Sequence, residues 1–128
     1  MEALIYLDTH VVVWLYEGRG ELFCDLAKRL VRQNSRLISP IVQLELSYLC
    51  EVGKLKAKPK HIIEDLQHRM GLQFCGKSFQ SVVEQAMKTT WTRDPFDRLI
   101  VAQAATDGSK LLTRDRTIIE HYTEAVSC

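Results

Sequence analysis

The stretch Thr92-Arg93-Asp94-Pro95-Phe96-Asp97-Arg98-Leu99-Ile100-Val101-Ala102 sets two carboxylates at the mouth of an otherwise apolar helix. An ionised acid among apolar residues costs stability unless a partner, a proton or a cation compensates it. Capping offers a structural explanation for both, with Asp94 as N-cap, Pro95 at the first helical position and Asp97 at the third. Yet Asp97 shares a face with Ile100, Val101 and Ala104, and the helix is apolar almost all round, which marks it as a buried element. Asp97 is therefore assigned to a site, and Asp94 to its rim, as a cap or as an acid supporting the site from behind.

Three more acids sit where solvent alone does not explain them. At 100° per residue, Glu45 falls between Val52 and Leu49, with Ile41 and Val42 on the same arc, so it lies inside the apolar face of its helix. Gln43, Ser47 and Glu51 carry the polar face. A buried salt bridge competes with metal binding or acid–base work as the reason for Glu45. Asp8 and Asp115 each follow a short apolar run, and each could simply cap the helix after it. Four acids from distant parts of a chain, brought to one edge, repel strongly unless a cation neutralises them. Carboxylate-only donors suit magnesium or manganese, whereas zinc would usually recruit His or Cys. His10 stands alone beside Asp8 and reads as a surface or packed histidine, and His61, His68 and His121 show no ligand spacing.

The elements that would position these acids alternate along the chain. Ala3-Leu4-Ile5-Tyr6-Leu7 reads as a strand buried on both faces, ending at Asp8-Thr9. His10 to Tyr16 continues as a helix to Gly18, and Glu21 to Gln33 repeats apolar residues at Leu22, Leu26, Leu30 and Val31 with helical spacing. Arg36-Leu37-Ile38 is a second strand, and Ser39-Pro40 caps a helix from Ile41 to about Val52 that Gly53 stops. His61 to Met70 is helical and closed by Gly71, Leu72-Gln73-Phe74-Cys75 is a third strand, and Phe79 to Thr90 is helical again. Asp94 to Asp107 is the next helix, Lys110-Leu111-Leu112-Thr113 a strand stopping at Arg114-Asp115, and Thr117 to His121 a short last helix. This alternation predicts a three-layer α/β/α sandwich with a central parallel sheet of four to five strands. Ligands of such sheets bind outside the carboxyl ends of the strands, where Asp8 and Asp115 fall.

Composition narrows the function classes. At 128 residues and 46% hydrophobic, the chain suits one domain spanning residues 1–128. Seventeen Lys and Arg nearly cancel sixteen Asp and Glu, so any basic surface must be local. Cys24, Cys50, Cys75 and Cys128 form no CxxC pair, which argues against a zinc ribbon or a thioredoxin-type site and for reduced thiols in a cytosol. No apolar stretch reaches the roughly 18 residues a membrane span needs, and nothing directs export, so the expected location is cytoplasmic.

With these residues in hand, the chain resembles PIN-domain proteins, and more closely the VapC-type toxins of toxin–antitoxin pairs, over nearly its whole length. The residues that carry the resemblance are Leu7-Asp8-Thr9-His10, Glu45 within Ser39-Pro40-Ile41-Val42-Gln43-Leu44-Glu45-Leu46, the block from Asp94 to Ala104, and Leu111-Leu112-Thr113-Arg114-Asp115. The resemblance implies an acidic quartet of Asp8, Glu45, Asp97 and Asp115, with Thr9 and Thr113 as polar helpers. It implies a metal-dependent endoribonuclease that arrests translation, is held inactive by a cognate antitoxin, and forms a homodimer. Asp8, Asp97 and Asp115 would be the main metal ligands, and Glu45 would bind metal, hold a water or act as base.

Such a substrate requires basic surface beside the acids. Arg98, Arg114 and Arg116 are the candidates, together with the run Lys54, Lys56, Lys58 and Lys60, for which a plain solvated loop is the simpler reading. Trp14, Trp91, Phe96 and Tyr6 could stack on bases, but core packing explains them better. Two other classes compete. A receiver-like phosphoacceptor wants an acid pair at the first strand and a lysine at a late strand end, where this chain has Asp8 alone and Thr113-Arg114-Asp115. A non-catalytic module would use the same pocket only to bind a partner or RNA.

Overall fold

Leu4–Leu7 (β1) is the central strand, and its residues Ile5, Tyr6 and Leu7 are at most 1% exposed, as a strand covered on both faces requires. The computed structural model describes residues 3–128, so the acid at Glu2 lies outside the described residues. After β1 come α1 (Thr9–Glu17), a 3-10 turn at Gly20–Leu22, α2 (Asp25–Gln33), β2 (Ser35–Ile38), α3 (Pro40–Glu51) and α4 (Pro59–Met70). The chain continues through β3 (Gln73–Phe74), α5 (Phe79–Ala86), α6 (Pro95–Ala105), β4 (Lys110–Thr113), α7 (Arg116–His121) and β5 (Ala125–Ser127).

The five strands are parallel in the order β3-β2-β1-β4-β5, flanked by helices on both sides. Strand order reverses between β1 and β4, which pair Ile5 with Lys110 and Leu7 with Leu112. The carboxyl ends of those two strands therefore border the crevice where ligands of such sheets bind. Helices α1, α3 and α4 pack on one another, α3 packs on α6, and α6 on α5. Among the described residues no helix is long and apolar enough to cross a membrane.

The local signals explain most boundaries. Ser39 Oγ accepts from the Ile41 amide at 3.3 Å ahead of Pro40, and Asp94 accepts from the Phe96 amide at 2.8 Å and the Asp97 amide at 3.3 Å ahead of Pro95. Gly71 closes α4 with φ +66°, a left-handed conformation that glycine adopts without steric cost.

Two expectations need correction, and a third element was not anticipated. The helix expected from Glu21 begins at Asp25, because Phe23 leaves the helical path in an extended conformation and packs edge-on against Trp14, with ring centroids 5.9 Å apart. Ala27 and Val31 are then the inward residues, and Leu26 faces solvent. Second, α5 stops at Ala86 rather than Thr90. The Arg98 guanidinium donates to the Ala86 carbonyl at 3.2 and 3.0 Å and satisfies the helix end. Third, β5 carries no periodic signal of its own and forms because β4 offers it a free edge.

One cation ties three elements that local pattern does not connect. Arg36, on β2, donates to the Met70 carbonyl at 2.7 Å, the Val31 carbonyl at 2.7 Å and the Asn34 carbonyl at 2.9 Å, holding the ends of α4 and α2 to the sheet. Replacing it with methionine, Arg36→Met, keeps an unbranched stem but strands these carbonyls. The expected loss is about 1.5–3 kcal/mol, read as a lower urea midpoint at unchanged slope; an unchanged midpoint would mean that water replaces the guanidinium without penalty.

Candidate active site

The crevice begins at Asp8. Its amide donates to the Leu112 carbonyl at 3.0 Å, which extends the β1–β4 ladder one residue past Leu7. Its side chain caps α1, with Oδ1 accepting from the Thr9 amide at 2.7 Å, while Oδ2 accepts from Thr113 Oγ1 at 2.6 Å. Asp8 is 5% exposed, and burial outweighs both hydrogen bonds, raising its pKa.

Thr113 and Thr9 pass this arrangement on to the other acids. Thr113 Oγ1 also accepts from the Asp115 amide at 3.0 Å, and Asp115 caps α7 by accepting from the Thr117 amide at 2.8 Å and the Ile118 amide at 3.1 Å. Thr9, fully buried, donates its hydroxyl to Glu45 Oε1 across from α3. Glu45 is half-buried, and desolvation raises its pKa above the ordinary glutamate value despite that bond.

Asp97 is the exception. Among the described residues no donor reaches its half-buried carboxylate, and its pKa is pushed up to about 7 by burial first, then by Asp94, Asp8, Asp115 and Glu45. Asp94, exposed, spends one oxygen capping α6 and stands at the rim. Asp8, Glu45, Asp94, Asp97 and Asp115 thus share the walls of one cavity of about 210 Å³, together with His10 and Arg114. Among the described residues no three ligand-type side chains converge on a single coordination point. The donor set is nonetheless all oxygen, and Asp97 lacks any protein donor, a combination that fits a hard divalent cation.

The basic candidates separate. Arg114 lines the cavity, with its guanidinium 5.3 Å from the centroid of the Trp14 ring. Arg116 is exposed at the first turn of α7 but does not line it. Arg98 is turned away, occupied by the α5 carbonyls. Of the lysine run, Lys54 stands near enough to lower the pKa of His10, whereas Lys58 and Lys60 border a different hollow beside Pro40 and Leu44. The aromatic residues pack as expected: Tyr6 is buried, Trp14 meets Phe23, Trp91 stacks on His121 at 4.9 Å, and Phe96 leans on Tyr48.

His10 is the wall residue that sequence reasoning set aside. Burial and the nearby Arg114 lower its pKa, against the pull of Asp8 and Asp115. Its position in the first turn of a helix opened by Asp8 was the available signal, since that turn must surround its own cap.

Residues 5–124 match the family model described as the PIN domain. No curated protein matches the sequence. Among solved structures, the chain is similar to VapBC2 of Rickettsia felis bound to a promoter DNA fragment, at 19% identity and TM-score 0.66 over 98% of this chain and 97% of that one. A toxin–antitoxin complex of Klebsiella pneumoniae is similar at 20% identity and TM-score 0.65, over 97% and 95% of the two chains. VapBC-1 of nontypeable Haemophilus influenzae is similar at 16% identity and TM-score 0.65, over 98% and 96%.

The elevated pKa of Asp97 sets a pH dependence. A carboxyl group raised in the folded state favours the protonated form, so its contribution to stability is lost as pH rises from the unfolded value toward about 7. Asp8 and Glu45 act in the same direction, whereas the lowered His10 opposes them below its ordinary value. In chelator, Asp97→Asn should melt near wild type at about pH 4 and progressively above it as pH rises to about 8. Added manganese should raise the wild-type midpoint more than the variant's. A gap between the two proteins that stays constant with pH would contradict the assignment.

Proposed function

Because this chain belongs to the PIN-domain family, we propose that it is a metal-dependent endoribonuclease of the VapC toxin type, acting as a single domain in the cytoplasm. In this reading it cleaves RNA, arrests translation and is held inactive by a cognate antitoxin, and it works as a homodimer. The observation that carries the proposal is the set of five carboxylates around one cavity, with an aspartate pushed up to about 7 by burial and by the neighbouring acids. The toxin–antitoxin complexes of similar fold support the choice of partner.

Asp8, Asp97 and Asp115 would hold magnesium, or manganese in its stead, with Thr113 fixing the orientation of Asp8 and the backbone of Asp115. When bound, the ion would supply charge neutralisation at the phosphate and a more acidic attacking water. Glu45, oriented by Thr9 and with its proton affinity raised by burial, would serve as the general base for the attacking water, the broken P–O bond leaving an oxygen that solvent protonates. Asp94 keeps the N-terminus of α6 formed so that Asp97 is presented to the cavity. Arg114 and Arg116 supply local positive charge for the RNA backbone in a chain with a net charge of only +1.

Asp8→Asn and Asp97→Asn should abolish RNA cleavage and the growth arrest that follows expression, with circular dichroism unchanged. Glu45→Gln should slow cleavage by about 10²–10⁴-fold, and chelation should stop it until magnesium or manganese is restored. Mapping new RNA 5′ ends, with and without the neighbouring gene product, reads substrate and antitoxin together. Full metal-dependent activity in both aspartate variants would defeat the site, and RNA bound but never cut would favour the non-catalytic module.

A further inference from the structure

We propose that Trp14 is a seat for Arg114, holding its guanidinium out of the acid cluster so that it grips an RNA backbone phosphate at the edge of the cavity. This inference rests on the ribonuclease reading and gives Trp14 a role that reading does not contain. Arg114 lines a cavity with five carboxylates, yet among the described residues it forms no ion pair and donates no hydrogen bond. Other cations of the chain do pair, as Arg69 with Asp65 at 2.6 Å and Lys77 with Asp107 at 2.9 Å. Carboxylate partners line the same cavity as this arginine, and among the described residues it takes none of them.

Trp14 is what holds it. The guanidinium carbon lies 5.3 Å from the indole centroid, inside the roughly 6 Å range of a cation–π contact. The indole is itself locked, because Phe23 meets it edge-on at 84°. Phe23 holds that position in an extended conformation just ahead of α2, which Cys24 caps. A cation held against the indole spends none of its N–H donors on an acid, so the five donors of Arg114 stay available in the fork geometry that matches a phosphate.

The arrangement answers an electrostatic problem. A polyanion approaching a carboxylate-lined cavity is repelled, and a cation neutralised by one of those carboxylates would not help it. Arg98, the other arginine close to the acids, is already occupied by α5, and Arg116 has no aromatic support among the described residues. Arg114 is the basic side chain that lines the cavity itself, and among the described residues it has no ion pair. Trp14 is therefore a positioning residue acting through Arg114, and Arg114 would touch the RNA.

The test uses a fluorescein-labelled single-stranded RNA of mixed sequence, bound in magnesium to full-length protein carrying Glu45→Gln so that it is not consumed, with anisotropy followed across a salt series. Arg114→Ala should weaken binding about tenfold and reduce the salt slope by about 0.7. Arg114→Lys should keep the slope but recover only part of the affinity. Trp14→Leu should reproduce the loss of Arg114→Ala, with no further loss in the double variant, and Trp14→Phe should restore most of the binding. In the Glu45 background restored to wild type, Arg114→Ala should raise KM with little change in kcat. Unchanged affinity and slope in Arg114→Ala, or additive losses in the double variant, would overturn the proposal. If Trp14→Leu does not fold, the Arg114 pair and Trp14→Phe still decide it. Metal-dependent cleavage indifferent to Arg114 sinks this inference alone, whereas Arg114-dependent binding without any cleavage sinks the ribonuclease reading and leaves this one standing.

Discussion

The buried carboxylate of Asp8 sits where the two halves of the sheet meet, and the rest of the site is built outward from its hydrogen bonds. Its amide continues the ladder to β4, one oxygen starts α1, and the other accepts from Thr113, which in turn receives the Asp115 amide. The neighbouring residue, Thr9, reaches Glu45 on α3. Two threonines thus link one acid to two others through defined donors, and each link crosses between elements far apart in sequence. A buried polar network of this kind is favourable only when every member is satisfied, and among the described residues no buried side-chain nitrogen or oxygen lacks a partner.

Asp8, Asp94 and Asp115 show that capping and site-building need not be rival explanations. All three open helices, accept backbone amides and line the cavity. An N-cap supplies a carboxylate with donors and with the positive end of a helix, worth roughly 0.3–1 kcal/mol, at the strand-to-helix corner where a ligand would bind. The fold can therefore concentrate negative charge at one edge using positions that stabilise it in any case. Asp97 falls outside this device. It is the third residue of α6, receives no donor among the described residues, and is raised first by burial and then by its neighbours. Asp8 and Glu45 are raised too, but each has a threonine donor that Asp97 lacks.

The parts legible in the sequence were those fixed by local pattern. The run Leu4 to Leu7, the Ser39-Pro40 and Asp94-Pro95 caps, the apolar character of α6 and the Leu111-Leu112-Thr113 strand each carry their signal within a few residues, and together they placed the acids at one edge. What escaped depends on contacts made at long range. Phe23 ends a helical run because Trp14 is there to meet it, and β5 exists because β4 has an unpaired side. Arg98 looked like a candidate for the substrate because it adjoins Asp97, but helical geometry turns it toward α5. His10 was discounted as solitary, although the turn that carries it also carries Asp8.

The sheet ends on two very short strands, β3 with two residues and β5 with three. An outer strand normally exposes a row of unpaired amides and carbonyls that can template pairing with another chain, and shortness is one of the common defences against it. Here neither margin offers enough backbone to recruit a foreign strand in register. Strand addition at either margin is thereby disfavoured by the same shortness that closes the sheet.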